Sequence, residues 1–279
     1  MLTIYVDDLL IIGPNNTALA KIRSTLMAKF TKTGFGDATQ ILGISITQER
    51  KHDTISEIQH HYVVSLLKIF ARNVCNTVHT PGIGKELTTN PAGSVYEQGT
   101  RDYQAIIGNL IFLTQSTRMD IAFAISQAAR FMANPTFVHM RSVKRILRYL
   151  DAPNLTITYS RDSNFELTGF CDASYGTSDP EKARSTSGSM YFLFGGVIHF
   201  SSSPQKITAQ SSTEAELITM STCAKQGIYL SGILGELGWK NSRRVRILCD
   251  NKGTLLLAGQ GNYGSRSKHL AIRSAGLHD

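Results

Sequence analysis

Two adjacent carboxylates, Asp7 and Asp8, stand between two apolar runs of strand-type residues, Thr3-Ile4-Tyr5-Val6 and Leu9-Leu10-Ile11-Ile12. Runs of this kind with so short a break close as a β-hairpin, which carries the acids at its tip. Aspartates cost stability in an apolar setting unless their charge is compensated. Side-by-side acids between strands therefore point to Mg²⁺ coordination and phosphoryl chemistry. The same tetrapeptide also reads as an Asp-Asp turn without chemistry.

A chain of 279 residues with 42% hydrophobic content is long enough for two domains, each with its own core. No apolar stretch reaches the roughly 20 residues of a membrane span. The N-terminal run is interrupted by Asp7 and Asp8, so it does not read as a signal peptide. An intracellular protein, cytoplasmic or nuclear, neither secreted nor membrane-bound, is expected. Cys75, Cys171, Cys223 and Cys249 form no Cys-x-x-Cys pair, which argues against a zinc site and a disulfide framework. They are expected to be small reduced core residues. The net charge of +8 permits a polyanionic partner. In the segment 139–150, Arg141, Lys144, Arg145 and Arg148 follow helical spacing, and Val143, Ile146, Leu147 and Leu150 follow it on the opposite side. Such a helix offers a basic stripe outward, either a solvated face or a surface for phosphates.

Along the chain, Thr17 is placed to cap a helix running to Phe30, with Leu19, Ile22, Leu26 and Phe30 along one side. Residues 40–47 read as one strand, 54–58 as a second, and 62–70 as a helix. Pro81, Gly82, Gly84, Pro91 and Gly93 mark 76–99 as the linker. Helices are expected near 103–114, from Asp120 to before Pro135, and over the basic segment. From Phe165 the pattern changes to strands at 165–172, 187–194 and 197–201, the last two joined at Gly195-Gly196. A long helix at 213–237, a strand at 245–250 and a short helix at 253–257 follow. The order predicts an α/β domain beginning near residue 155.

In that domain Asp172 ends the first strand and Asp250 the fourth, so neighbouring strands bring them to one sheet edge. Glu216 lies one turn into the long helix, within reach of the same place, whereas Glu214 points away at about 100° of rotation per residue. Three acids from two strand ends and a helix suit two-metal phosphodiester hydrolysis, and without cations they repel one another. Taken singly, each also reads as a surface acid or a helix cap, Asp250-Asn251 included.

Phe170-Cys171-Asp172-Ala173, Arg184-Ser185-Thr186-Ser187-Gly188, Ser211-Ser212-Thr213-Glu214-Ala215-Glu216 and Leu248-Cys249-Asp250-Asn251 stand in the order of the ribonuclease H domain of copia-type retrotransposon Pol proteins. The chain resembles that family over nearly its whole length. Tyr5-Val6-Asp7-Asp8 resembles the palm hairpin of its reverse transcriptase, and Leu42-Gly43-Ile44 the primer grip. Thr117-Arg118-Met119-Asp120 and Val143 to Leu150 are similar to its connecting region.

The resemblance implies a mixed α/β (α+β) fold: a partial reverse transcriptase palm and thumb over 1–75, a linker and helical connection over 76–154, and an incomplete ribonuclease H-like mixed sheet with helices over 155–279. It implies RNA-directed DNA polymerase and RNA–DNA hybrid hydrolysis as the family activities. Asp7 and Asp8 are the expected polymerase remnant; Asp172, Glu216 and Asp250 are the expected ribonuclease H catalytic and metal residues. The implied cofactor is Mg²⁺ or Mn²⁺ and the implied partner an RNA–DNA hybrid or other nucleic acid, contacted by Arg141, Lys144, Arg145 and Arg148. The chain starts within the palm, Ala271 stands where the family motif has an aspartate, and the fourth carboxylate is expected beyond Asp279. Impaired catalysis is the resulting expectation. A non-catalytic nucleic-acid-binding remnant and a gene-model relic without a stable product are the alternatives, and whether the chain acts as an enzyme, and in what oligomeric state, stays open at this point.

Overall fold

Among the described residues of the first thirty, no side chain is buried. In the computed structural model, which describes residues 1–6, 8–13, 15–30, 36–70, 76–82, 87–88, 99–151, 155–163, 165–176, 184–239 and 245–260, strands β1 (Leu2–Tyr5) and β2 (Asp8–Ile11) pair antiparallel, with Tyr5 opposite Asp8. Helix α1 (Asn16–Lys29) follows. Its cap is Asn15, whose side-chain oxygen accepts from the Thr17 backbone N–H at 2.8 Å, so Thr17 lies inside the helix and does not cap it.

Residues 40–47 form two strands where the sequence predicts one. β3 (Gln40–Ile41) turns at Leu42 and Gly43 into β4 (Ile44–Glu49). Leu42 and Gly43 have φ of 51° and 74°, the positive pair of a two-residue hairpin turn, and the apolar leucine hid it from pattern reading. β5 (Thr54–Ile58) continues the sheet. Its fourth strand comes from far downstream: β6 (Ile157–Ser160), read from sequence as part of no element, pairs antiparallel with β5 from Thr54↔Ser160 to Glu57↔Ile157.

A helical layer lies between these strands in sequence: α2 (His60–Phe70), α3 (Thr100–Thr114), α4 (Ala122–Ala129), entered by a 3-10 turn at Met119–Ile121, and α5 (Phe137–Leu150). Its core joins Leu66 of α2, Tyr103, Ile107 and Leu110 of α3, and Val143, Ile146, Leu147 and Leu150 of α5. The apolar stripe predicted for the basic helix is thus the buried one.

The second four-stranded sheet has the order β10-β7-β8-β9, with β7 (Thr168–Ser174), β8 (Thr186–Leu193) and β9 (Gly196–Pro204) antiparallel and β10 (Arg246–Leu248) parallel to β7. The β8–β9 turn uses Phe194 and Gly195, at φ 56° and 81°, and Gly196 already belongs to β9. α6 (Ser212–Glu236) packs on β7 and β8, and α7 (Lys252–Gln260) packs on α6. The architecture is mixed α/β in three sheets. β6 also touches the second sheet: the Ser160 N–H donates to the Phe194 carbonyl at 2.8 Å and the Tyr159 hydroxyl to the Val197 carbonyl at 2.9 Å.

Candidate metal centre

β7 and β10 are parallel neighbours, and β10 ends beside Phe170 while β7 runs on to Ser174. The last ladder pair, Leu248↔Phe170, leaves the edge of β7 open from Cys171 onward. Into this edge reaches Glu216 from α6. The Ala173 backbone N–H bonds its carboxylate, and Asp172 lies near enough to share a hydrogen bond with it. Asp250, just past β10, offers a ligand atom within 4.8 Å of one from Glu216, in a group of possible metal ligands that does not include Asp172.

Glu216 is 6% exposed, and among the described residues no Lys, Arg or His forms an ion pair with it, Asp172 or Asp250. Burial raises its pKa above the ordinary 4.5; the Ala173 N–H opposes this, and the charges of Asp172 and Asp250 add to it. An uncompensated cluster of carboxylate oxygens fits a hard divalent cation.

A thiol belongs to the same group. The ligand atoms of Glu216, Cys249 and Asp250 lie within 4.8 Å of one another. Cys249 is half-buried, and burial pushes its thiol above the ordinary range. Cys171 and Cys223 are buried reduced thiols, as expected, whereas Cys249 stands at the candidate site. Its only sequence signal was its place beside Asp250. Glu214 is also buried but serves the helix start: its carboxylate accepts from the Gln210 N–H at 2.8 Å, and its own N–H donates to Ser211 Oγ at 3.1 Å.

A groove of about 600 Å³ runs from Asp172 and Asp250 along the face of the sheet turned away from α6, lined by Phe170, Met190, Phe200 and, across from them, Phe123. Of the hairpin acids, Asp8 is exposed and Asp7 lies outside the described residues; the acidic group found among the described residues does not include Asp8.

Residues 1–84 match the family model described as reverse transcriptase (RNA-dependent DNA polymerase). The whole chain is similar to the retrovirus-related Pol polyprotein from transposon TNT 1-94 of Nicotiana tabacum, with 32% identity over 98% of this chain and 21% of that protein. The chain belongs to the copia-type transposon Pol family. Similar relatives include the retrovirus-related Pol polyprotein from transposon RE1 of Arabidopsis thaliana (32% identical, 96% of this chain, 18% of that protein). A putative transposon Ty5-1 protein of Saccharomyces cerevisiae is 29% identical over 79% of this chain and 71% of its own length. The chain therefore spans about a fifth of the Pol polyproteins from TNT 1-94 and RE1.

Several stretches that resemble this Pol family hold the scaffold. Buried Arg118 forks onto Asp120 at 2.9 and 2.8 Å and faces the Tyr149 ring, while Thr117 Oγ1 donates to Gln59 at 2.8 Å. Ser187 meets Thr219 at 2.7 Å, and Gln205 Nε2 donates to both and to the Ala215 carbonyl, tying β8 to α6 beneath the acids. Sequence reading gave Gln205 no role. The basic helix divides. Arg145 bonds the Gly82 carbonyl at 3.3 Å and Thr80 Oγ1 at 2.8 Å, and Arg148 the Asn76 carbonyl at 2.7 Å. Arg141 and Lys144 are exposed. No described helix is long and apolar enough to cross a membrane.

Proposed function

We propose that the part of this Pol sequence from β7 onward is a ribonuclease H-like unit that hydrolyses the RNA strand of an RNA–DNA hybrid, following a reverse transcriptase segment. The observation that carries the reading is that Glu216 shares a hydrogen bond with Asp172 and offers a ligand atom within 4.8 Å of one from Asp250, where β10 ends beside β7. The order β10-β7-β8-β9, with α6 between β9 and β10, supports it.

Asp172, Glu216 and Asp250 would hold Mg²⁺ or Mn²⁺. A bound cation supplies stabilisation of the attacking and leaving oxygens at the scissile phosphate. The chain's own residues do the positioning. The Ala173 N–H and surrounding burial fix the Glu216 carboxylate, and the β7 ladder fixes Asp172. Arg141 and Lys144 are the cations placed to meet backbone phosphates; Arg145 and Arg148 hold the segment 76–82. Ala271, in place of the family's aspartate, sets the expectation of slow cleavage.

Purified chain with Mg²⁺ and a hybrid labelled on its RNA strand tests this. Slow, metal-dependent cleavage that Asp172→Asn abolishes is expected. Cleavage unchanged in Asp172→Asn overturns the reading, and hybrid binding without any cleavage replaces it with a non-catalytic nucleic-acid-binding role.

A further inference from the structure

We propose that Glu216, Cys249 and Asp250 form a binding site for a thiophilic divalent cation of the Zn²⁺ class, a different specificity from the all-oxygen set that suits Mg²⁺. Three observations carry this. The donor atoms, two carboxylate oxygens and one sulfur, already lie within 4.8 Å of one another. Tetrahedral zinc with S and O ligands needs them about 3.5 Å apart, so a contraction of at most about 1.3 Å is enough. Cys249 Sγ stands 4.0 Å from Glu216 Oε2, so the sulfur faces the buried carboxylate and not only the thiols behind it. Glu216 brings a buried negative charge that no described cation pairs. Magnesium gains little from a thiol, whereas zinc and cadmium prefer one. On binding, the Cys249 proton leaves to solvent and the thiolate takes its place on the metal. The site shares Glu216 and Asp250 with the proposed nuclease centre, but its occupancy is read without any cleavage assay, so either idea can fail alone.

The test uses the full chain, stripped of metal under reducing conditions. Titrated Cd²⁺ gives an ultraviolet thiolate-to-metal charge-transfer band that saturates at one equivalent, survives excess Mg²⁺ and is lost in Cys249→Ser. Zn²⁺ affinity by calorimetry falls by at least about tenfold in that variant, with circular dichroism reporting that it is folded. Should the variant not fold, the unaltered chain decides the matter: Zn²⁺ protects Cys249 from alkylation, read by peptide mass spectrometry, and Mg²⁺ does not. Absence of the band, a band retained in folded Cys249→Ser, or Cys249 alkylated equally with and without Zn²⁺ overturns the proposal.

Discussion

Glu216 carries a negative charge into a setting that disfavours it, and the cost has a definite sign. Its folded-state pKa is raised, chiefly by burial, so the folded chain binds this proton more tightly than the unfolded one. Ionisation above that pKa therefore costs stability, and the cost vanishes below the ordinary value of 4.5. Glu216→Gln is expected to raise the unfolding temperature at neutral pH, with the gain lost in acid; a variant no more stable than the parent at neutral pH would contradict this. His139 shows the opposite case. It is 2% exposed, its Nδ1 accepts the Thr136 N–H at 3.0 Å, and its Nε2 faces the Thr88 carbonyl. Burial lowers its pKa, with the Thr88 bond opposing, so stability is lost as pH falls through 6.5 and levels off once the folded form is also protonated. In His139→Gln the fall between neutral pH and that plateau should be shallower, measured by urea unfolding at a series of pH values. The elements that carry Asp172, Glu216 and Asp250 were legible because strand ends and a helix start follow from local arithmetic. Cys249 was not: consecutive strand residues face opposite sides, and only the end of β10 lets it stand with Asp250.

Among the elements, the contact of α6 with the second sheet turns on a tyrosine between two glycines. Tyr191 is fully buried; a Cβ at Gly169 would lie 2.6 Å from its Cε1, and one at Gly227 would lie 2.7 Å from its Oη and 2.8 Å from Val245 Cγ1. Helix propensity alone favours alanine over glycine at 227 by about 1 kcal/mol. Overpacking outweighs it, and Gly227→Ala should destabilise by about 1–3 kcal/mol in urea unfolding. In a Tyr191→Phe background the loss should shrink without vanishing, because Val245 still stands in the way. Equal losses in both backgrounds would mean that the hydroxyl is not what the new methyl meets. Long periodic elements such as α3 and α5 were readable because each repeats one pattern over several turns. β6 was not, since four residues, Ile-Thr-Tyr-Ser, carry too little periodicity and their partner strand lies far upstream.

For the whole molecule, a net charge of +8 draws any polyanion, but only the cations left unoccupied by the fold can set the strength. Charge reversal at Arg141 and Lys144 together is expected to weaken hybrid binding and to lower the salt slope by about two, near one for each phosphate no longer neutralised. The same changes at Arg145 and Arg148 should act on stability, by releasing Thr80, Gly82 and Asn76. Binding measured at several salt concentrations, beside thermal unfolding, separates the two pairs; a slope unaltered by the first pair returns the stripe to a plain solvated face. The pairing of β5 with β6 also sets a timetable. As the chain leaves the ribosome, Thr54–Ile58 waits with a bare edge while the linker and four helices are made, and its partner arrives only with Ile157–Ser160. Closing so long a loop adds little to the equilibrium cost, which grows only with the logarithm of length, but it delays completion. Until then the nascent sheet offers an open strand to other growing chains, so synthesis speed through the helical layer governs how much of the product escapes aggregation.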